Sequence, residues 1–381
     1  MALQQWFAIA LLSTFTACGL AGSGTGVDVS KLCASGPSMP PAPTALVTAK
    51  KMRDLALAPN ALVYVDKDSG QGSGAGARSG TIHRVALDGT GDIQLYEPDS
   101  SSKSLWDVTV VGQTVYFLEQ ELLLTATMRL MKISLDGGAA TGTELPALYT
   151  GFLGTGFVGS ESALYMRVAN DGNPNGGVGR FNLADNTTTT ILAPSILENL
   201  FLGTDAIFYL TRPSLGDAAE TRTLDKATKT ENASGAAIGS AHCRGSFFVT
   251  AENIFCGGYS ATGAADGKPS SANLTKLDLA GGAPRDWLSL KDAFSGSSTH
   301  IGAVLGDEAI VSLTGTGKAY PLLAVTLANG TARALACEQM PVDLDYGTRR
   351  PMLVGSSSAV YWIAEGDRGT GPNTLFKANL R

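Results

Sequence analysis

Charge is scarce in this chain. Asp, Glu, Lys and Arg make up 16% of its 381 residues, and the formal net charge is −6. The 28 Lys and Arg are scattered, with no basic stripe and no basic–aromatic interleaving, which argues against a nucleic-acid partner. Only three histidines are present, His83, His242 and His300, and no two of them share a metal-ligand spacing. No phosphate-binding loop or dinucleotide fingerprint stands in a strand–turn–helix context, and no G-x-S-x-G elbow supports a serine nucleophile. Sustained helical periodicity is missing outside the amino end. The one long apolar run, residues 6–17, is too short for an ordinary membrane-spanning helix.

What the chain has in quantity is glycine, 46 residues, and short apolar segments that recur. These read Ala61–Val65, Thr114–Phe117, Ala163–Met166, Ala206–Tyr209, Asn253–Cys256, Ala309–Ser312 and Ala359–Trp362. They begin roughly 50 residues apart, and an all-strand period of that size is the mark of a propeller. Val, Ile, Tyr, Phe and Thr dominate the segments, with Gly, Asn and Asp between them. The first unit parses into strands a (near 54–58), b (62–66), c (81–87) and d (92–96). A Pro59-Asn60 turn joins a to b, and Asp88-Gly89 starts the c–d hairpin. Asp136-Gly137, Gly281-Gly282 and Asn329-Gly330 repeat that hairpin chemistry.

The seventh unit supplies only three strands before Arg381, whereas Thr44–Ala49 is a strand with no unit of its own. The expectation is an all-β, seven-bladed β-propeller over residues 44–381, closed by this amino-terminal strand as the outer strand of blade seven. The stretches Ile82-His83-Arg84-Val85-Ala86-Leu87-Asp88-Gly89-Thr90 and Ala359-Val360-Tyr361-Trp362 are similar to the YWTD-type propeller repeats of lipoprotein receptors and to bacterial secreted propellers. That resemblance implies a recognition scaffold.

The apolar run ends at Phe15-Thr16-Ala17-Cys18-Gly19, which resembles the bacterial lipobox, in which the cysteine is acylated. Residues 1–18 are accordingly expected to be a lipoprotein-type signal peptide, with Cys18 lipidated and the protein exported to the outer membrane or cell surface. Residues 19–43, rich in Gly, Ser and Pro, read as a flexible tether. With Cys18 set aside, Cys33, Cys243, Cys256 and Cys337 remain, an even number in an exported chain. Three pairings are open. The expectation is Cys243 with Cys256 inside one blade, and Cys33 with Cys337 pinning the leader beside blade six.

The predicted b–c loops are long, at 67–80, 171–179, 211–220, 258–272 and 365–373, while the a–b and c–d turns are short. In an up-and-down blade, the b–c loops and d–a connectors emerge on one face, and long loops on a rigid scaffold are where binding resides. Asp66, Asp68, Asp171 and Asp367 mark this face. They are also the best oxygen ligands for a calcium ion, the one candidate cofactor, though Asp and Asn equally serve as turn caps. The reading is an exported binding or scaffolding module with a protein or glycan partner on the cell envelope. The alternative is an enzyme of the lactonase or lyase kind, with inward-facing carboxylates and His in the central channel.

Overall fold

The structure, a computed structural model, describes residues 26–33, 39–49, 52–66, 80–100, 102–121, 128–146, 157–170, 173–192, 196–203, 205–212, 222–230, 234–241, 247–257, 270–281, 284–293, 298–314, 321–337, 353–364 and 373–380. An amino-terminal arm comprises β1 (Gly26–Asp28), α1 (Val29–Leu32) and β2 (Thr44–Ala49). Blade 1 follows as β3 (Met52–Leu57), β4 (Ala61–Asp66), β5 (Thr81–Ala86) and β6 (Ile93–Tyr96). Blade 2 is β7 (Lys103–Val111), β8 (Thr114–Glu121), β9 (Met128–Ser134) and β10 (Thr141–Glu144). Blade 3 is β11 (Phe157–Gly159), β12 (Ala163–Asn170), β13 (Asn173–Asn182) and β14 (Thr188–Leu192). Blade 4 is β15 (Ile196–Leu202), β16 (Ala206–Arg212), β17 (Arg222–Thr228) and β18 (Ala236–Ala241). Blade 5 is β19 (Phe247–Val249), β20 (Asn253–Cys256), β21 (Ser270–Asp278) and β22 (Arg285–Ala293). Blade 6 is β23 (Ser298–Leu305), β24 (Glu308–Thr314), β25 (Leu322–Thr326) and β26 (Ala332–Ala336). Blade 7 is β27 (Leu353–Gly355), β28 (Ala359–Ala364) and β29 (Asn373–Asn379).

Every blade is an antiparallel meander, and the first strands of successive blades touch all the way round, β27 returning to β3. The second strands explain the repeat seen in the sequence. In β4, Leu62 and Tyr64 face blade 7, whereas Val63 and Val65 face blade 2. Both surfaces of the blade are therefore buried, which is why these strands read as unbroken apolar runs rather than as alternation. Seven apolar clusters result, each filling one gap between neighbouring blades. Each Val, Leu, Ile or Phe sealed there stabilises by about 1.5–3 kcal/mol. The first position of the second strand is a buried alanine in four blades (Ala61, Ala163, Ala206 and Ala359), and Ala309, second in β24, is buried likewise.

The ring closes as expected. β2 pairs antiparallel with β29, Ala45 opposite Phe376 and Val47 opposite Leu375, with Leu46 bulged between them and packed on the cluster shared by blades 7 and 1. The seam is tied to blade 1 by Asn373 Nδ2 donating to Met52 O at 2.9 Å and Lys377 Nζ donating to Leu87 O at 3.3 Å. Gly89 completes it. Its φ is +89°, and a Cβ there would lie 3.1 Å from the Leu46 backbone, so no other residue fits without displacing β2.

The arm departs from the sequence-based expectation. The stretch 19–43 reads as a free tether, but residues 26–33 are attached to the ring. β1 adds a fifth strand to blade 5, parallel to β22, and Val27 and Leu32 pack against the cluster between blades 5 and 6. Gly and Ser favour a flexible chain, so composition gives no sign of this docking. The valine and leucine are the signal, and they become meaningful only beside the exposed edge of β22.

Candidate functional site

Two unlike faces follow from the topology. One carries the a–b and c–d turns and is called the hairpin face. Its a–b turns span two or three residues, as at 112–113 and 356–358. The opposite, loop face carries the b–c and d–a connections, including 67–80, 257–269 and 337–352. The asymmetry expected from the sequence is thus present, with one correction. Residues 173–179 are strand rather than loop: β13 begins at Asn173 and pairs with β12 as far as Asn170–Asn173. Asn-Pro-Asn-Gly-Gly reads as a turn cluster by composition. Here β12 and β13 run past the ends of β11 and β14 as a two-stranded ribbon, where no central ladder has to accept Pro174. Likewise β16 extends to Arg212 and β21 starts at Ser270, shortening two further predicted loops.

On this face, between blades 1 and 2, lies a charged network that the sequence does not single out. Glu119, near the end of β8, is 2% exposed. It accepts a hydrogen bond from the Tyr96 hydroxyl at the end of β6, and Lys103 Nζ at the start of β7 lies 3.2 Å from its Oε1. The same ammonium reaches Asp99 Oδ1 at 2.7 Å in the d–a connector, where Asp99 is largely exposed. Ser102 donates to Glu121, extending the network along the connector. Burial, reinforced by the Glu119 hydrogen bond and charge, pushes the Tyr96 phenol above its ordinary range. The hydrogen bond to Asp99 does most to raise the Lys103 ammonium, and the same contact lowers the Asp99 carboxyl. A cation thus bridges an interior and a surface carboxylate, fixing the connector against the barrel-like stack of blades.

A second network sits on the blade 7 side of blade 1. The buried Tyr64 hydroxyl donates to Asp92, 2.9 Å from each carboxylate oxygen. His83 Nδ1 lies 3.2 Å from Asp92 Oδ1 and Nε2 lies 3.0 Å from Thr81 Oγ1, with the imidazole stacked on Tyr64 at 5.2 Å. Burial and the Asp92 charge push the Tyr64 phenol upward. Asp66, predicted as a loop-face residue, ends β4 opposite Thr81 at the mouth of this network.

At the axis the first strands share a device. Their register slips by one residue at 54 in β3, 107 in β7, 198 in β15 and 302 in β23. Asp54 and Asp107 take left-handed conformations there (φ 52° and 46°), and Asp107 N donates to Asp54 Oδ2 at 3.3 Å. Each such bulge kinks the inner strand, and a non-glycine residue in this region costs about 1–3 kcal/mol. Asp54-Leu55-Ala56-Leu57 and Asp107-Val108-Thr109-Val110 share an Asp–apolar–small–apolar pattern that could have revealed it. Among the described residues, no group of three or more His, Cys, Asp or Glu is arranged to hold a metal ion.

The remaining predicted residues divide plainly. Cys33 and Cys337 form a disulfide with Cα atoms 5.6 Å apart, placing the arm beside blade 6. Cys256 is also disulfide-bonded. Cys18, Cys243, Asp68, Asp171 and Asp367 lie outside the described residues, as do His242 and most of the 67–80 loop. His300 falls on β23.

Fold and faces together define a closed seven-bladed β-propeller with its longest connections on one side. The sequence matches no family profile and no curated protein. Among solved structures it is similar to the β-propeller domain of the Trilobed protease from Pyrococcus furiosus, at 13% identity with a TM-score of 0.54, covering 87% of this chain and 95% of that one. It is also similar to prolyl endopeptidases (14% identity, TM-score 0.56, 87% of this chain and 47% of theirs). A third likeness is to a puromycin-hydrolyzing peptidase of Mycobacterium tuberculosis (10% identity, TM-score 0.52, 86% and 50%). The chain spans about half the length of these two peptidases. The Pyrococcus domain is described as having an open velcro topology, whereas β2 closes the ring here.

Proposed function

We propose that this protein is an exported, lipid-anchored propeller that binds a protein or glycan partner of the cell envelope through its loop face. The observation that carries the reading is the asymmetry of the two faces. The a–b connections on one face are two or three residues long, while the strand ends on the opposite face are joined by connections as long as 67–80, 257–269 and 337–352. A scaffold sealed by seven apolar clusters fixes the strand ends from which they start, which lowers the ordering cost of binding. Export accords with the lipobox-like stretch at Cys18 and with the Cys33–Cys337 disulfide, since such bonds persist in oxidising compartments. The rival, an enzyme with its site in the channel, would draw on the Asp54–Asp107 pair at the axis.

The test is deletion of residues 69–79 from the longest blade-1 connection. The melting temperature is expected to hold, because the segment joins β4 to β5 without belonging to either. Retention of envelope components by the immobilised protein is expected to fall. Unchanged retention, or a collapse of the fold, counts against the loop face as the binding surface.

A further inference from the structure

A hydroxyl becomes a nucleophile when a base takes its proton and a third group holds that base in the right tautomer. Blade 1 assembles such a chain. Asp92 Oδ1 lies 3.2 Å from His83 Nδ1, and His83 Nε2 lies 3.0 Å from Thr81 Oγ1. An ionised carboxylate can only accept, so Nδ1 carries the imidazole proton and Nε2 keeps its lone pair for the Thr81 hydroxyl. Asp92 is itself held, because the Tyr64 hydroxyl donates to it at 2.9 Å from either oxygen. The buried Tyr64 ring also lies against the imidazole, with centroids 5.2 Å apart and planes within 16° of parallel. Carboxylate and phenol ring together fix both the tautomer and the position of His83.

The propeller does not need this arrangement to stand. Tyr64 and His83 are cross-strand partners on β4 and β5. The equivalent pairs are Phe117 with Met131 in blade 2, Val311 with Leu323 in blade 6 and Trp362 with Phe376 in blade 7, all buried and apolar. Where those blades seal the position with hydrocarbon, blade 1 places a polar chain. Thr81, His83 and Val85 alternate along β5 and share the side that faces blade 7. Thr81 is the first residue of β5, at the loop-face end of the blade, and is half-buried. The His83 and Asp92 side chains remain 19% and 35% exposed, so the chain of groups opens to solvent and a small molecule can reach it.

We propose that Thr81 is a nucleophilic site that accepts an acyl group from an uncharged, activated ester. His83 is the general base, and Asp92 is a positioning residue that acts through it. Thr81 Oγ1 forms a bond to the ester carbonyl carbon while its proton passes to His83 Nε2. The bond from that carbon to the leaving alcohol oxygen then breaks, and Nε2 returns the proton to the departing oxygen. The products are an ester on Thr81 and a free alcohol, with nothing oxidised or reduced. Asp66 lies directly across the ladder from Thr81, where paired Cβ atoms are about 5 Å apart. Its carboxylate selects against donors that carry negative charge near the carbonyl. The inference does not depend on the loop face binding a macromolecular partner.

The test exposes the full chain to p-nitrophenyl acetate and follows acetylation of Thr81 by peptide mass mapping. General-base assistance is worth about 10²–10⁴-fold, so His83→Gln should slow acetylation at Thr81 by about 100-fold or more. Asp92→Asn should lower the limiting rate at saturating ester and leave the half-saturating concentration in place, a split that a loss of local shape would not produce. Thr81→Ser keeps the hydroxyl and should be acetylated at the same position, again only with His83 present. Circular dichroism confirms that each variant is folded. Thr81 acetylated no faster than other exposed threonines, or equally fast in the wild type and in His83→Gln, overturns the proposal. A folded Thr81→Ser chain that resists the ester overturns it as well.

Discussion

Removing the Lys103 ammonium should cost far more than a surface ion pair would. Glu119 is 2% exposed, and Lys103, itself 15% exposed, is the cation 3.2 Å from its Oε1. Deleting one partner of a buried pair leaves an uncompensated charge, at a cost of about 3–5 kcal/mol. The Tyr96 hydroxyl still donates to Glu119 in the variant, and water can follow the shortened side chain inward. Lys103→Ala is therefore expected to lose about 2–3 kcal/mol at neutral pH. Exposed Asp99 adds little to that figure because solvent screens it. Urea denaturation followed by tryptophan fluorescence measures the loss. Glu119→Gln removes the charge that needs a partner, so Lys103→Ala in that background should cost less than about 1 kcal/mol. Equal losses with and without the Glu119→Gln substitution would refute the claim that Lys103 acts by neutralising a buried carboxylate.

Two further outcomes are expected. Replacing both Cys33 and Cys337 by Ser opens a cross-link spanning 304 positions. Chain entropy puts the loss at up to about 5 kcal/mol, and amide exchange should accelerate selectively over Gly26–Leu32; unaltered protection there would show that the arm is held without the disulfide. Alkaline titration provides the other. Burial raises Tyr209 to about 12, and Tyr64 and Tyr96 are raised as well. Unfolded tyrosines ionise near pH 10. Their folded pKa values lie higher, so stability is complete below about pH 10 and falls as pH rises toward the folded values. Absorbance at 295 nm should show these phenols ionising late in the native protein and together near pH 10 in denaturant; native titration complete by pH 10 contradicts the burial described here.

Much of the ring is legible in the residues alone, and its parts show why. Ala61–Asp66 and Ala359–Ala364 are apolar on both faces, so each must lie between two neighbours, and seven such segments make seven blades. Thr44–Ala49 stands out as a strand without a unit and β29 as a unit without an edge. The even cysteine number points to disulfides but leaves three pairings open, and the structure joins Cys33 to Cys337. The candidate site is less legible. Glu119 belongs to Leu118-Glu119-Gln120-Glu121, which reads as the polar end of a strand, and only the approach of Tyr96 and Lys103 from other strands makes it interior. His83 looks incidental until Asp92, nine positions later, comes back across a hairpin to meet it.

The chain's local chemistry therefore determined the number of sectors, the strands within them, the turn glycines and the closing edge, because each depends on which side chains must leave water and which φ values a residue tolerates. Tertiary structure alone decided that Gly26–Asp28 adds to blade 5 in parallel and that Lys103 joins a buried carboxylate to an exposed one. Those features rest on backbone edges and charges brought together from distant positions, and no short stretch of sequence carries both halves of such a contact.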